Sequence, residues 1–182
     1  MVDLEASPVI AAVRTKEDFD FAVDSPVKII FLLQSNILTL KEMVEHAHEK
    51  HKNIFVHIDF TEGIEKDRVG IEYVARCGAD GIISTRANVI KLAKECNLIT
   101  IQRFFIVDSH SIDTAIESIK SSKPDMIEIM PGILTRVISV FKSKVKVPVI
   151  TGGLIEMKSD IIDALKAGAA AISTTKKELW LE

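Results

Sequence analysis

Gly78-Ala79-Asp80-Gly81-Ile82-Ile83-Ser84-Thr85 returns about half a chain length later as Gly168-Ala169-Ala170-Ala171-Ile172-Ser173-Thr174-Thr175. Each copy leaves a helix through Gly-Ala, runs through a short apolar strand and ends on a hydroxyl pair. Two halves of four strands and four helices would make an eight-fold closed barrel. A glycine supplying the positive φ of a helix C-cap explains the same echo without any repeat, so both readings stand.

Outward from these two stretches, short apolar runs alternate with helical periodicity through all 182 residues, the mark of repeated βα units and a parallel sheet. Strands are expected at 8–13, 27–33, 54–60, 81–85, 98–104, 126–130, 147–150 and 170–173. Between them lie helical stripes such as Leu40, Met43, Val44, Ala47 and Ile112, Ala115, Ile116, Ile119. Thr15 is an expected cap, Thr39 with Glu42 has capping-box spacing, and Ser109 or Ser111 opens the helix after strand five. A strand, a helix and two short connections take roughly 22 residues, so eight units fill the chain. The expected fold is therefore α/β, a compact single-domain (β/α)8 barrel of the TIM type over residues 1–182. A doubly wound open sheet lacks support, because no Gly-x-Gly-x-x-Gly follows the first strand.

At 47% hydrophobic, the chain can bury one substantial core. Its net charge of −3 gives no global attraction to a polyanion, so any nucleic-acid contact needs a local basic patch. Cys77 and Cys96 have neither the density of a disulfide scaffold nor the spacing of a zinc site. The acidic start Met1-Val2-Asp3-Leu4-Glu5 is unlike a signal peptide, and runs such as Ile29-Ile30-Phe31-Leu32-Leu33 fall far short of a membrane span. The expectation is a cytoplasmic protein with no membrane contact.

Chemistry concentrates where the last two strands end. Thr151-Gly152-Gly153 follows strand seven, and Ser173-Thr174-Thr175 follows strand eight just before Lys176-Lys177-Glu178-Leu179-Trp180. In such barrels these two loops and the start of a short helix form the usual phosphate site. Glycines let N–H groups approach a phosphate, hydroxyls add donors, and a helix N-terminus favours the dianion. Gly152, Gly153, Ser173, Thr174 and Thr175 are thus the candidate phosphate ligands, with Lys176 as an added charge. A tight turn and an ordinary helix cap would account for each half separately.

Other strand ends carry Arg14, Gln34, His57, Asp59, Gln102, Arg103 and Glu128. Alternation puts His57 with Asp59 on one strand face and Glu128 with Met126 and Met130. These charges either meet a ligand or pair with one another inside the barrel. A Schiff-base aldolase would need a lysine at the carboxyl end of a strand, whereas Lys28 and Lys146 stand at amino ends. His57-x-Asp59 resembles part of a metal-dependent epimerase site but lacks a second His and carboxylate from opposing strands. His46, His48 and His51 fall on a helix flank and His110 in a loop. No catalytic constellation, metal or cofactor is therefore assigned.

Taken in order, Ile10-Ala11-Ala12-Val13-Arg14, Ile30-Phe31-Leu32-Leu33, Phe55-Val56-His57-Ile58-Asp59, Gly81-Ile82-Ile83-Ser84-Thr85, Thr100-Ile101-Gln102-Arg103, Ile127-Glu128-Ile129-Met130-Pro131-Gly132, Gly152-Gly153-Leu154-Ile155 and Ile172-Ser173-Thr174 with Leu179-Trp180 form a recognisable set. Over essentially the whole chain the sequence resembles the glycerol uptake operon antiterminator regulatory proteins. The resemblance implies a non-catalytic barrel that responds to glycerol 3-phosphate, binds leader messenger RNA, prevents a terminator hairpin and switches on glycerol catabolism. By position it implies that Gly152, Gly153, Ser173 and Thr174 hold the phosphate, with Arg14, Asp59, Gln102 and Glu128 near the glycerol hydroxyls. Thr151, where a small apolar residue is expected, and Gln34-Ser35-Asn36, where a more acidic glycine-containing turn is expected, depart from the family pattern.

For RNA, Lys142, Lys144 and Lys146 are the basic candidates, with Lys120 and Lys123 nearby, all on the amino-terminal face of the barrel. One Trp and one Tyr offer little for base stacking. Ligand and RNA would then bind opposite faces, coupled through the barrel or through the interface of a homodimer. Two other readings remain: a barrel isomerase, epimerase or lyase acting on a small phosphorylated metabolite, and a ligand-binding barrel that works only through protein partners.

Overall fold

The computed structural model describes Leu4 and residues 7–181; the rest of the acidic start lies outside the described residues. Eight parallel strands close into a barrel: β1 (Val9–Val13), β2 (Ile29–Leu32), β3 (Asn53–His57), β4 (Gly81–Ser84), β5 (Ile99–Phe105), β6 (Met126–Met130), β7 (Val149–Gly152) and β8 (Ala171–Thr174). Each pairs with the next in sequence, and β8 returns to β1 through Val9↔Ile172, Ile10↔Ser173 and Ala11↔Thr174. Closure leaves none of the eight barrel strands with an open edge.

Seven α-helices cover the barrel: α1 (Lys16–Asp24), α2 (Leu40–Glu49), α3 (Arg68–Arg76), α4 (Ala87–Glu95), α5 (Ser109–Ser122), α6 (Thr135–Lys144) and α7 (Lys158–Lys166). The eighth position holds only a 3-10 turn, Lys177–Leu181. The outward faces of the strands pack on the helices in one large apolar cluster, while Ile10, Phe31, Phe55, Ile101 and Ile150 fill the lower barrel interior. Both faces being buried, the strands read as continuous apolar runs.

Departures from expectation have local causes. Pro148 has no N–H to give a ladder, and β7 begins at Val149 and runs on into Gly152. The third strand stops at His57, and Ile58–Phe60 turns as a 3-10 helix, taking Asp59 off the strand. Ser35–Asn36 and Thr61–Glu62 form an unforeseen two-residue parallel ladder at the mouth.

Thr15 caps α1 as expected, accepting from the Asp18 N–H at 3.1 Å. Thr39 makes no side-chain cap on α2; its hydroxyl donates to Asn36 Oδ1 at 3.3 Å, and that oxygen also accepts the Leu38 and Thr39 N–H groups. Asp108, not either serine, caps α5, and the Ser111 hydroxyl accepts the Asp108 N–H in return. The Gly-Ala echo carries one backbone requirement in both copies, with Gly78 at φ +88° and Gly168 at φ +106°.

Candidate phosphate site at the barrel mouth

β7 and β8 lie side by side, pairing Ser173 with Gly152, and bring both glycine and hydroxyl loops to the same edge of the mouth. Gly152 is required by closeness. A Cβ there would run into Ser173 Oγ and lie 2.9 Å from Glu128 Oε1. Gly153 sits at φ +78°, where glycine is unstrained. Gly152→Ala must displace Ser173 and is expected to destabilise the fold by about 1–3 kcal/mol, seen as a lowered urea midpoint. An unchanged midpoint would mean that the Ser173 side chain is free to move aside.

The hydroxyls are largely committed to the protein itself. Ser173 Oγ donates to Glu128 Oε1 at 2.6 Å, and Thr174 Oγ1 donates to the Ile155 carbonyl at 3.0 Å, tying the two loops together. Trp180 Nε1 donates to the Thr174 carbonyl at 2.8 Å and fixes the closing turn. Among the described residues, the N–H groups of Gly153, Leu154 and Thr175 have no backbone partner. They border a cavity of about 160 Å³ lined also by Arg14, Arg103 and Ser173. Backbone donors and two guanidinium groups around a small hollow suit a phosphate-sized anion. The helix-dipole contribution is less than the sequence suggests, because the closing element is a short 3-10 turn. Lys176 lies 3.7 Å from Glu156 and does not line the hollow.

Below the hollow runs a buried polar layer. Arg103 Nε donates to Glu128 Oε2 at 2.6 Å, and Arg103 Nη1 lies 3.4 Å from His57 Nδ1. Glu128 is fully buried, so it holds Arg103 and Ser173 from beneath rather than facing the opening. His57 Nε2 is buried without a hydrogen-bond partner, 3.7 Å from Asp59 Oδ2.

Asp59 borders a separate hollow of about 410 Å³ with Gln34, Phe60 and Lys66. Its oxygens accept from Ser84 Oγ at 2.8 Å, the Thr85 N–H at 2.8 Å and Thr85 Oγ1 at 3.1 Å. Burial pushes its carboxyl up, but the His57 ring and the Ser84 and Thr85 donors outweigh that and hold it well below the usual carboxylate range. A lowered folded value contributes stability above the unfolded value of ~3.9 and loses it as pH falls through the folded value. Asp59→Asn is therefore expected to cost about 1–3 kcal/mol at pH 7. The gap from the wild type should narrow below pH ~4, which denaturant titrations at pH 7 and pH 3 would show. A gap that widens in acid would contradict this assignment.

Gln102 requires a correction. Its side chain donates to Ser118 Oγ at 2.9 Å and accepts from Ser122 Oγ at 2.6 Å, both on α5, so it lies outside the barrel and away from any ligand at the mouth. Arg103, one residue on, points inward instead. Arg103 and His57, named among the polar strand ends but outside the ligand set that the resemblance implies, are thus the interior residues at this level. Lys142, Lys144 and Lys146 are exposed at the end of α6 and ahead of β7, opposite the mouth. Among the described residues no group of three His, Cys, Asp or Glu side chains could hold a metal ion, and no helix is long and apolar enough to cross a membrane.

Residues 9–180 match the family model of the glycerol-3-phosphate responsive antiterminators. The chain belongs to this family. An antiterminator relative, the glycerol uptake operon antiterminator regulatory protein from Listeria monocytogenes, superposes with a TM-score of 0.90 at 32% identity, covering 94% of each chain. A glycerol uptake operon antiterminator-related protein from Thermotoga maritima superposes at 0.87 with 30% identity, over 97% of this chain and 99% of that one. The Escherichia coli K12 protein YgcP, itself uncharacterised, is 37% identical over 97% of this chain and 93% of its own length. An aldolase named QR15 superposes at 0.76 with 17% identity, which shows a shared barrel and nothing of its chemistry.

Proposed function

We infer that this antiterminator family member senses glycerol 3-phosphate at the β7–β8 edge of the mouth and, when loaded, binds leader messenger RNA to activate glycerol catabolism genes. The observation that carries the ligand half is the 160 Å³ hollow, where Arg14, Arg103 and free backbone N–H groups converge. Gly153, Leu154 and Thr175 would meet the phosphate oxygens, and Arg14 would close over them. Glu128 and Ser173 hold the floor, His57 meets Arg103 in the buried layer, and Asp59 borders the neighbouring hollow, where it would face the glycerol hydroxyls.

The RNA half draws on family membership and on the lysine run Lys142, Lys144 and Lys146. These side chains point away from the mouth, so ligand and RNA communicate through the barrel rather than by contact. The test titrates a leader hairpin with and without saturating glycerol 3-phosphate across a salt series. Ligand should tighten RNA binding, and the salt slope should shrink in Lys144→Ala, because each phosphate contact adds about 0.7–0.9 to that slope. Equal RNA affinity with and without ligand would overturn it.

The buried, unpartnered His57 Nε2 beside Asp59 is the one observation that favours an enzyme acting on a phosphorylated metabolite. Two arginines and no lysine line the hollow, which supports binding over Schiff-base chemistry. Turnover of a triose or pentose phosphate that His57→Gln abolishes would replace the sensor reading.

A further inference from the structure

Three successive loops on one side of the mouth present large apolar side chains to solvent. Phe105 ends β5 and Val107 follows it, Ile133 and Leu134 follow β6, and Leu154 and Met157 follow β7; they are between 39% and 85% exposed. The loops are bound into one surface, since the Ile106 N–H donates to the Met130 carbonyl at 2.8 Å and the Gly132 N–H to the Gly153 carbonyl at 3.0 Å. Together they make an exposed apolar surface on the order of several hundred Å², the size at which a patch on a monomer is commonly an interaction site. Leu154 is also held at φ +59°, a left-handed backbone that costs a leucine energy and projects it outward.

We propose that this lip is the interface of a two-fold dimer of the chain. The charges at its rim suit a second copy. Asp108 is exposed and acidic, and Arg136 is exposed with no ion pair among the described residues, so a two-fold axis through the lip can set Arg136 of one copy against Asp108 of the other. RNA would require a cationic surface, and the lysine run lies at the opposite end of the barrel. Leu154 belongs to both the lip and the wall of the phosphate hollow, so dimerisation and ligand affinity are linked. That linkage depends on the sensor reading; the dimer itself does not.

Sedimentation of the full chain over a micromolar concentration series, with and without glycerol 3-phosphate, tests both parts. Wild type should sediment at twice the chain mass. Val107→Asp and Met157→Asp, which set like charges across the axis, should each raise the dimer dissociation constant by about tenfold or more with circular dichroism unchanged. Lys144→Glu, at the far end, should leave it unaltered. A wild type that stays monomeric at every concentration, with and without ligand, would overturn the dimer. So would a dimer that both lip variants preserve, or one lost only in Leu38→Asp on the other side of the mouth. A dimer whose dissociation constant ignores the ligand would sever the linkage alone, and failure to bind RNA would count only against the sensor reading.

Discussion

Arg14→Ala is expected to weaken glycerol 3-phosphate binding by about 10- to 150-fold, the worth of one charge-assisted contact of ~1.5–3 kcal/mol. Arg14 follows β1 directly, is exposed and has no ion pair among the described residues. It borders both the phosphate hollow and a larger neighbouring groove of about 450 Å³ with Thr15, Gln34 and Ser35, so its guanidinium can swing over an anion in the hollow. Its removal leaves no buried partner unpaired, and the stability change should stay within about 0.5 kcal/mol. Lys16→Ala is the matched control, because Lys16 is already paired with Asp20 at 2.5 Å. Calorimetric titration of the three proteins decides it. Equal affinities for wild type and Arg14→Ala would remove Arg14 from the site.

A second large effect is expected in stability. Arg103→Met leaves Glu128 fully buried with only the Ser173 hydroxyl to meet it, which should cost about 3–5 kcal/mol. Such a loss is a large part of the ~5–15 kcal/mol that holds a domain of this size together. Removing both charges in Arg103→Met/Glu128→Leu takes away the unpaired carboxylate, so the double variant should be more stable than Arg103→Met alone. Urea denaturation of the wild type, the two single variants and the double variant gives the coupling directly. Purely additive losses would show that the two side chains do not depend on each other. Both Arg103 variants should also bind glycerol 3-phosphate poorly, since Arg103 lines the hollow.

The barrel was legible because eight doubly buried parallel strands leave eight apolar runs, and Arg14 was legible as the first polar residue after one of them. The same double burial hides which side of a strand faces in. Thr100, Gln102, Ile101 and Arg103 all lie buried on β5, and nothing in their polarity says that the odd-numbered residues face the interior. Gln102 therefore reads as well as Arg103 for a site residue until Ser118 and Ser122 are seen to hold it. Hydroxyls pose a related problem. Ser173 and Thr174 have the right chemistry for a phosphate, but their donors are spent on Glu128 and Ile155, partners brought close only by folding. The apolar lip is hidden for the opposite reason, as Val107, Leu134 and Leu154 look like core residues until the loops that carry them are placed.

Where the phosphate sits is best seen from the position of the phosphorus atom in a crystal of the glycerol 3-phosphate complex. Phosphorus is expected in the hollow between the two loops, its oxygens accepting from the N–H groups of Gly153, Leu154 and Thr175 and from Arg14. Phosphorus in the groove between α1 and α2, or beside the lysines at the opposite end of the barrel, would contradict it.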